Sequence, residues 1–332
     1  MRVPRPGPVY PSAMPPPRLP RVADLTETAN GIGFFLCARK EVRQTKTGDP
    51  FLSLTLQDAT GTVGAKVFGA EAEQYRDQFD AGEFVKVEGR ASVYNERIEL
   101  KLSRIRRVHA EQDRRDGFRE EECIPSAPRP LEEMWAELTA RIGAVGDAGI
   151  RVLLTRVVTD HAERLRTWPA AMLVHHAYRG GLLEHILQIA RVVGALADIY
   201  GADADLLVAG AVLHDIGKLR ELEYAGVPSY SREGNLIGHI PLGLMLVREA
   251  SAGIADLPED RRMEIEHLVA SHHGSKELGS PVEPMTVEAF IMAMADDLDA
   301  KVHQVRRHVA EDEGATEFTA YNKRLGRVLL KK

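Results

Sequence analysis

The chain has 332 residues, of which 44% are hydrophobic and 28% are charged, and its net charge at pH 7 is −6. This composition is typical of a soluble globular protein that is long enough for two domains. No apolar run approaches the roughly 18 residues that a membrane-spanning helix needs, which excludes an integral membrane protein and leaves no reason to expect a membrane partner.

The first twenty residues hold eight prolines and no continuous apolar stretch. We therefore expect residues 1–20 to form a disordered, polyproline-leaning leader and not a secretory signal. The two cysteines, Cys37 and Cys123, form no C-x-x-C pair, so a structural zinc ribbon is not expected. Both observations favour a cytoplasmic protein.

Residues 21–110 have the pattern of a small β domain. The run from Phe51 to Asp58 alternates apolar and polar residues, residues 59–62 supply a turn, and further alternating runs lie at 83–95 and 96–108. The segment AEAEQYRDQFDAGE, which lies before these last two runs, has helical spacing and ends at Gly82. Several short strands with one inserted helix predict a five-stranded OB-fold barrel.

Residues 111–130 are highly charged and contain Pro125, Pro128 and Pro130, which predicts a linker that regular structure does not cross. Seven later segments carry apolar residues at i, i+3, i+4 and i+7 without strand-like alternation. We therefore predict that residues 131–332 form an all-α domain, and that the protein is multidomain.

The helical half contains a spaced series of residues that bind metals. These are His185, the pair His214-Asp215, His239, the pair His272-His273, and the pair Asp296-Asp297. Imidazole and carboxylate ligands suit Mn, Fe, Ni or Zn, and a carboxylate can bridge two ions. The series therefore indicates a metal-dependent hydrolase.

Each member of the series has an ordinary explanation when it is taken alone. A His-Asp dipeptide is common, Asp-Asp on a helix is usually exposed, and His175, His176 and His267 suit structural or surface positions. The conjunction of these residues in this order across seven helices is what favours a metal site. Asp296 follows the apolar run IMAMA, where an unpaired buried carboxylate would be costly.

These residues resemble the HD superfamily of metal-dependent phosphohydrolases. The strings GGLLEH, LHDIGK, EGNLIGHI, SHHG, GSPVEP and DDLDAK resemble those of the YhaM-type 3′-5′ exoribonucleases, in which an OB-fold domain precedes an HD domain. The resemblance covers about residues 21–330. It implies that residues 131–332 form an HD domain and that residues 21–110 bind nucleic acid.

The resemblance also implies roles for single residues. His185, His214, Asp215 and Asp296 match the ligands of one ion, while His239 and His272, with Asp215 as the bridge, match those of a second ion. His273 could replace or join His272, and Asp297 is an alternative to Asp296. The expected cofactors are two divalent ions, with Mn²⁺ favoured over Fe, Ni, Co, Zn or Mg.

Two such ions would lower the pKa of a shared water and clamp a phosphodiester, and Asp215 and Lys218 are the expected catalytic residues. Lys218 would stabilise charge on phosphate oxygens, with Arg179 or Arg220 as helpers, and His176 is placed to touch the substrate.

The barrel is expected to bind single strands by stacking bases in a basic groove. Phe51 and Phe68 are interpreted as core residues at inward positions. The residues favoured as contacts to the strand are Tyr94, Arg39, Lys40 and Lys46.

The leading hypothesis is a metal-dependent 3′-5′ exonuclease that hydrolyses single-stranded RNA, or DNA as well, to nucleoside 5′-monophosphates. One alternative is an HD-type nucleotide or cyclic-dinucleotide phosphohydrolase, although such an enzyme needs no strand-binding barrel. Another is a non-catalytic single-strand-binding protein, which the retention of every ligand position disfavours. A homo-oligomer is compatible with the sequence.

Overall fold

The structure is a computed structural model that describes residues 17–45, 47–94, 97–171, 176–224, 227–312, 314 and 316–331. The chain divides into two compact units, Met1–Pro125 and Ser126–Lys332. Within the described residues, no helix combines the length and apolar character needed to cross a membrane.

The first unit is a closed five-stranded barrel, which confirms the predicted OB fold. Its strands run in the order β1-β2-β3-β5-β4, and all neighbours are antiparallel except β3 and β5. The elements are β1 (Asn30–Gln44), β2 (Pro50–Asp58), β3 (Gly61–Phe68), α1 (Ala70–Tyr75), β4 (Phe84–Tyr94), β5 (Arg97–Arg107) and α2 (Ala110–Asp113).

The period-two alternation of the strands builds the barrel core. Leu52, Leu54 and Leu56 of β2 are buried, and alternate residues of the other strands join them. This parity places Phe51 and Phe68 on the opposite face, where Phe68 is 42% exposed. The interpretation of these two phenylalanines as core residues was therefore wrong for Phe68, and Phe51 is only partly buried.

The helix after β3 is shorter than predicted. It ends at Tyr75 instead of continuing to Gly82, and Phe79 just beyond it is fully buried in the barrel core. The tertiary contact of Phe79 with the barrel core thus lies in irregular chain that the local spacing assigned to the helix.

The segment predicted as a linker is partly folded onto the barrel unit. Asp113 of α2 is fully buried and accepts hydrogen bonds from Arg106, while Phe118 packs against Phe34 and Phe84 with ring centroids 5.5 Å apart in both pairs. The prolines do not keep these residues from ordering, because a buried ion pair and an aromatic cluster hold them.

The predicted leader is only partly described. Residues 1–16 lie outside the described residues. Pro17 and Leu19, at the end of the same segment, exchange backbone hydrogen bonds with Ile32 of β1 at 2.8 and 2.9 Å. The described end of the leader therefore belongs to the barrel unit.

The second unit is helical, as predicted, and its core is a single cluster contributed by most of its helices. Besides the helices, its described residues contain a short antiparallel pair of strands, β6-β7, and isolated antiparallel bridges between residues 318 and 330. The elements are α3 (Leu131–Gly143), α4 (Ala148–Asp160), α5 (Ala162–Thr167), α6 (Gly181–Tyr200), α7 (Ala204–Leu213), α8 (Lys218–Glu221), β6 (Leu222–Tyr224), β7 (Pro228–Tyr230), α9 (Arg232–Ile237), α10 (His239–Ser251), α11 (Glu259–Ser271) and α12 (Val287–Glu311).

Candidate metal centre

Four side chains from three helices converge at a buried point of the helical unit. His185 lies in the second turn of α6, His214 and Asp215 directly follow α7, and Asp296 lies inside α12. His185 Nε2 is 3.1 Å from His214 Nε2 and 3.2 Å from Asp296 Oδ1, and Asp215 Oδ2 is 3.5 Å from both imidazole nitrogens. We call these four residues the first cluster.

A second group of imidazoles faces the other oxygen of the same aspartate. His239 opens α10 and His272 follows α11, and the Nε2 atom of each is 3.7 Å from Asp215 Oδ1. His273 joins them, since one ligand atom each from His239, His272 and His273 lie within 4.8 Å of one another. We call these three histidines and Asp215 the second cluster, so Asp215 presents one oxygen to each cluster.

The histidines turn the same nitrogen inward because the other nitrogen is already engaged. The Nδ1 atoms contact Asp299 Oδ2 at 2.8 Å from His185, Ala211 O at 3.1 Å from His214, Glu221 Oε1 at 3.1 Å from His239, Val269 O at 2.7 Å from His272 and Leu278 O at 2.9 Å from His273. Each of these oxygens accepts a hydrogen bond from Nδ1–H, so that the neutral imidazole carries its lone pair on Nε2.

These residues fit divalent ions. The Nε2 atoms of His185 and His214 both carry lone pairs and face each other at 3.1 Å, an approach that needs a cation or a proton between them. Asp215 Oδ1, His239 Nε2 and His272 Nε2 are buried without a hydrogen-bond partner among the described residues. Buried polar atoms without partners are costly, and an ion bound by these atoms would satisfy them.

The charge states of the site favour metal binding. Burial alone would raise the pKa of Asp215, but Lys218 and His214 hold it well below the usual value for a carboxyl group. Burial, followed by the proximity of His214, lowers the pKa of His272 well below its usual range, so this imidazole is neutral at physiological pH. A neutral imidazole and an ionised carboxylate are the forms that bind metals.

Lys218 lies at the edge of the first cluster. Its Nζ donates to Asp215 Oδ2 at 2.6 Å, and its side chain is nearly buried. Burial would lower the pKa of Lys218, but Asp215 raises it, so the ammonium is retained. A fixed positive charge is thus present beside Asp215.

A close backbone approach brings Asp215 and His239 together. A Cβ atom added to Gly217 would lie 1.9 Å from the carbonyl oxygen of His239 and 2.5 Å from the nitrogen of Gly243. Only glycine allows the start of α8 to lie this close to α10.

Other predicted residues do not reach the clusters. Asp297 forms an ion pair with Lys301 at 2.6 Å on the exposed side of α12. Arg220 pairs with Glu249 at 2.7 Å. The carbonyl of Arg179 accepts a hydrogen bond from the backbone of Ala127, and the half-buried side chain of Arg179 is in no described contact with the clusters.

His176 is buried in a hydrogen-bond network behind the first cluster. Its Nε2 lies 3.2 Å from Asp299 Oδ2, and its Nδ1 lies 2.9 Å from both Glu184 Oε2 and Tyr178 OH. Because its polar atoms are used inside the protein, the described contacts of His176 are those of a supporting residue instead of a substrate contact.

Two carboxylates that were not predicted from the sequence hold histidines of the two clusters. Asp299 accepts from His185 Nδ1, and Glu221 accepts from both Nδ1 and the backbone nitrogen of His239. The available signal was helical spacing, since Asp299 lies one turn after Asp296 on α12. Glu221 follows Lys218 in the short helix α8.

The barrel unit presents an exposed aromatic surface. Phe51 and Phe68 are cross-strand partners whose rings stack with centroids 5.3 Å apart, and exposed Arg43 is the partner of Phe51 on β1. Tyr94 is 58% exposed, and Lys66 Nζ lies 4.4 Å from the centroid of its ring. We call these five residues the barrel surface.

Three predicted basic contacts have different outcomes. Lys40 is a correction, because its side chain is largely buried and its Nζ donates to the carbonyls of Arg76 and Phe79. Arg39 is exposed and pairs with Glu41, as exposed Arg43 of the barrel surface also does. Lys46 lies outside the described residues.

Comparisons with known proteins agree with both units. The family model for the HD domain matches residues 182–301, and that for the OB-fold nucleic acid binding domain matches residues 38–108. A 3′-5′ exoribonuclease YhaM of Bacillus subtilis (strain 168) is 36% identical over 263 residues, covering 78% of this chain and 81% of the relative. The protein of the same name from Listeria monocytogenes serotype 4b (strain CLIP80459) is 33% identical over 283 residues, covering 84% and 88%.

Proposed function

The chain belongs to the family of YhaM 3′-5′ exoribonucleases, and we propose that its metal-dependent hydrolysis of RNA takes place at a two-ion centre bridged by Asp215. The observation that supports this proposal is the position of Asp215, whose two oxygens face separate histidine clusters. The proposed ligands are His185, His214, Asp215 and Asp296 for one ion and Asp215, His239, His272 and His273 for the other.

Two divalent ions held there would activate a water molecule and offset the charge of the phosphodiester. The chain supplies the rest of the chemistry. Asp215 and Asp296 give the centre negative charge, and Nδ1 hydrogen bonds fix the orientation of the imidazoles. Lys218 offers an ammonium group to the non-bridging phosphate oxygens as charge develops on them. In-line attack by water at phosphorus expels the 3′-oxygen and releases a nucleoside 5′-monophosphate.

The proposed ion is Mn²⁺, which accepts mixed imidazole and carboxylate ligands. Fe, Co, Ni, Zn and Mg are the alternatives that a metal titration distinguishes. The proposed location remains the cytoplasm, where RNA substrates are present.

The barrel surface is the proposed site of strand binding, with bases stacking on Phe51, Phe68 and Tyr94 and phosphates beside Arg43 and Lys66. This assignment replaces Lys40, whose ammonium group is used within the barrel. Single-stranded RNA is the substrate, and single-stranded DNA with the same barrel contacts is a second substrate that we propose.

The experiment uses metal-free protein, Mn²⁺ and a single-stranded RNA labelled at its 5′ end. We expect two ions to bind per chain and the RNA to shorten from its 3′ end. Asp215→Asn should lose bound metal and activity together, because one substitution removes a ligand from both ions. Single-stranded DNA and cyclic dinucleotides are tested in parallel. Hydrolysis of cyclic dinucleotides without shortening of RNA would contradict the proposal, and binding of one ion per chain would contradict the two-ion centre.

A further inference from the structure

The end of the described chain forms a small β-hairpin. Phe318 pairs with Leu330 and Asn322 with Arg327 in antiparallel bridges, and the backbone nitrogen of Thr319 donates to the carbonyl of Leu329 at 2.8 Å. We call residues 318–330 the C-terminal hairpin. The HD family model ends at residue 301, so this hairpin lies beyond the region that the model describes.

The hairpin is cationic in an acidic protein. It contains Lys323, Arg324 and Arg327 and no acidic residue, while the whole chain has a net charge of −6. All three basic side chains are exposed, and no carboxylate of the described residues lies within ion-pair distance of them. A local excess of positive charge attracts a polyanion.

Aromatic side chains are exposed on the same hairpin. Tyr321 is 61% exposed and Phe318 is 48% exposed. Single-stranded nucleic acids bind where such rings can stack on bases and basic groups can contact phosphates. Exposed aromatics alone would equally suit a protein partner, but their combination with three cations without acidic partners favours RNA.

The hairpin is fixed to the helix that contributes Asp296. His308 Nε2 donates to the carbonyl of Ala320 at 2.9 Å, and the nitrogen of Ala320 donates to Asp312 Oδ2 at 2.6 Å. Lys331 forms an ion pair with the same Asp312. The position of the hairpin relative to the metal centre is therefore set by α12.

One face of α12 leads from the metal centre towards the hairpin. His303 and Arg307 follow Asp296 by seven and eleven residues, so each of these two side chains lies within about 20° of Asp296 around the helix. Exposed Arg307 is roughly 16 Å from Asp296 along the helix axis. That distance corresponds to about five nucleotides at a stacked rise of ~3.4 Å.

From these observations we propose that the C-terminal hairpin and the end of α12 form a second RNA-binding surface. This surface binds the single strand about five nucleotides before the 3′ end that enters the metal centre. Lys323, Arg324 and Arg327 contact phosphates, and Tyr321 and Phe318 stack on bases. The inference rests on the proposed function and adds a surface in the helical unit to the one on the barrel.

The test uses the full-length protein with three alanine substitutions, Lys323→Ala, Arg324→Ala and Arg327→Ala. The ratio of kcat/KM for a twelve-nucleotide RNA to that for a three-nucleotide RNA should fall, because only the longer strand reaches the hairpin. For binding of the longer RNA without divalent ions, the slope of log K (the association constant) against log salt concentration should become less steep by about 2, as the loss of three phosphate contacts predicts.

The matched control keeps every charge through Lys323→Arg, Arg324→Lys and Arg327→Lys, and it should keep the wild-type ratio and salt slope. Tyr321→Ala should weaken binding of the longer RNA about 5- to 150-fold, whereas Tyr321→Phe should restore it because the ring remains. Thermal unfolding of each variant identifies any that is misfolded, and the two tyrosine variants test the proposal independently of the charge variants.

Two failures are distinguishable. If the wild-type protein shortens RNA and the folded alanine variant has the same length ratio and salt slope, the hairpin does not bind RNA and the proposed function stands. If the wild-type protein does not hydrolyse RNA, the proposed function itself is overturned, and the inference with it.

Discussion

Asp299→Asn should weaken binding of divalent ions by the protein about 10- to 100-fold, although Asp299 is not a ligand of the centre. Its Oδ2 lies 2.8 Å from His185 Nδ1, and its side chain is nearly buried. An asparagine can turn its amide NH₂ towards Nδ1, which favours the tautomer with the proton on Nε2. The loss of a carboxylate that orients a ligating histidine typically has this magnitude, and it corresponds to about 1.4 to 2.8 kcal/mol.

The assay is a titration of metal-free protein with Mn²⁺, followed by the change in thermal unfolding temperature and by elemental analysis of bound metal. The matched control is Asp297→Asn on the same helix. Asp297 pairs with Lys301 at the surface, so this variant loses the same charge without changing His185 and should bind metal as the wild type does.

RNA hydrolysis provides a second readout. At saturating Mn²⁺ the activity of Asp299→Asn should recover towards the wild-type value, since the ligand atoms themselves remain. If Asp299→Asn and Asp297→Asn bind Mn²⁺ with equal, wild-type affinity, then the Asp299–His185 hydrogen bond does not control the tautomer and the reasoning is refuted.

Three further predictions concern Lys218, the barrel surface and the stability of the barrel. Lys218→Ala should lower kcat about 100- to 1000-fold while bound metal stays near the wild-type amount, and a parallel loss of metal in elemental analysis would argue for a role in the centre's assembly instead. Phe68→Ala should weaken single-stranded RNA binding about 5- to 150-fold in a titration without divalent ions. Unchanged affinity would show that the stacked pair Phe51 and Phe68 does not bind RNA. Burial would raise the pKa of Asp113, but Arg106 holds this pKa below the usual range. The ionised Asp113 carboxylate therefore stabilises the folded barrel at neutral pH, and this stabilisation is lost as the pH falls below about 4. Asp113→Asn should therefore lower the free energy of unfolding at pH 7 by about 3 to 5 kcal/mol in urea titrations, with a smaller difference at acidic pH, and a loss under 1 kcal/mol would show that the pair is dispensable.

Sequence periodicity determined most of the barrel, because alternation in a strand follows directly from backbone geometry. Leu52, Leu54 and Leu56 mark the inward face of β2 in the sequence and in the structure. The interpretation of Phe51 as an inward residue assigned it to the wrong side of this alternation, since Phe51 shares the parity of Ser53 and not that of Leu52. By contrast, the contacts of Phe118 and Asp113 with the barrel could not be read from a charged, proline-rich segment, since they depend on partners distant in the sequence.

The sequence also predicted the residue types of the candidate metal site, because such a series of histidines and aspartates is seldom explained by structural roles alone. The tertiary structure decided which atoms meet. Adjacent residues on a helix point about 100° apart, so the rotation of α12 that turns Asp296 towards His185 leaves Asp297 to pair with Lys301 on the same helix. Partnerships such as Asp299 with His185 and Glu221 with His239 join residues 114 and 18 positions apart, and the packing of whole helices, which local sequence patterns do not encode, creates them.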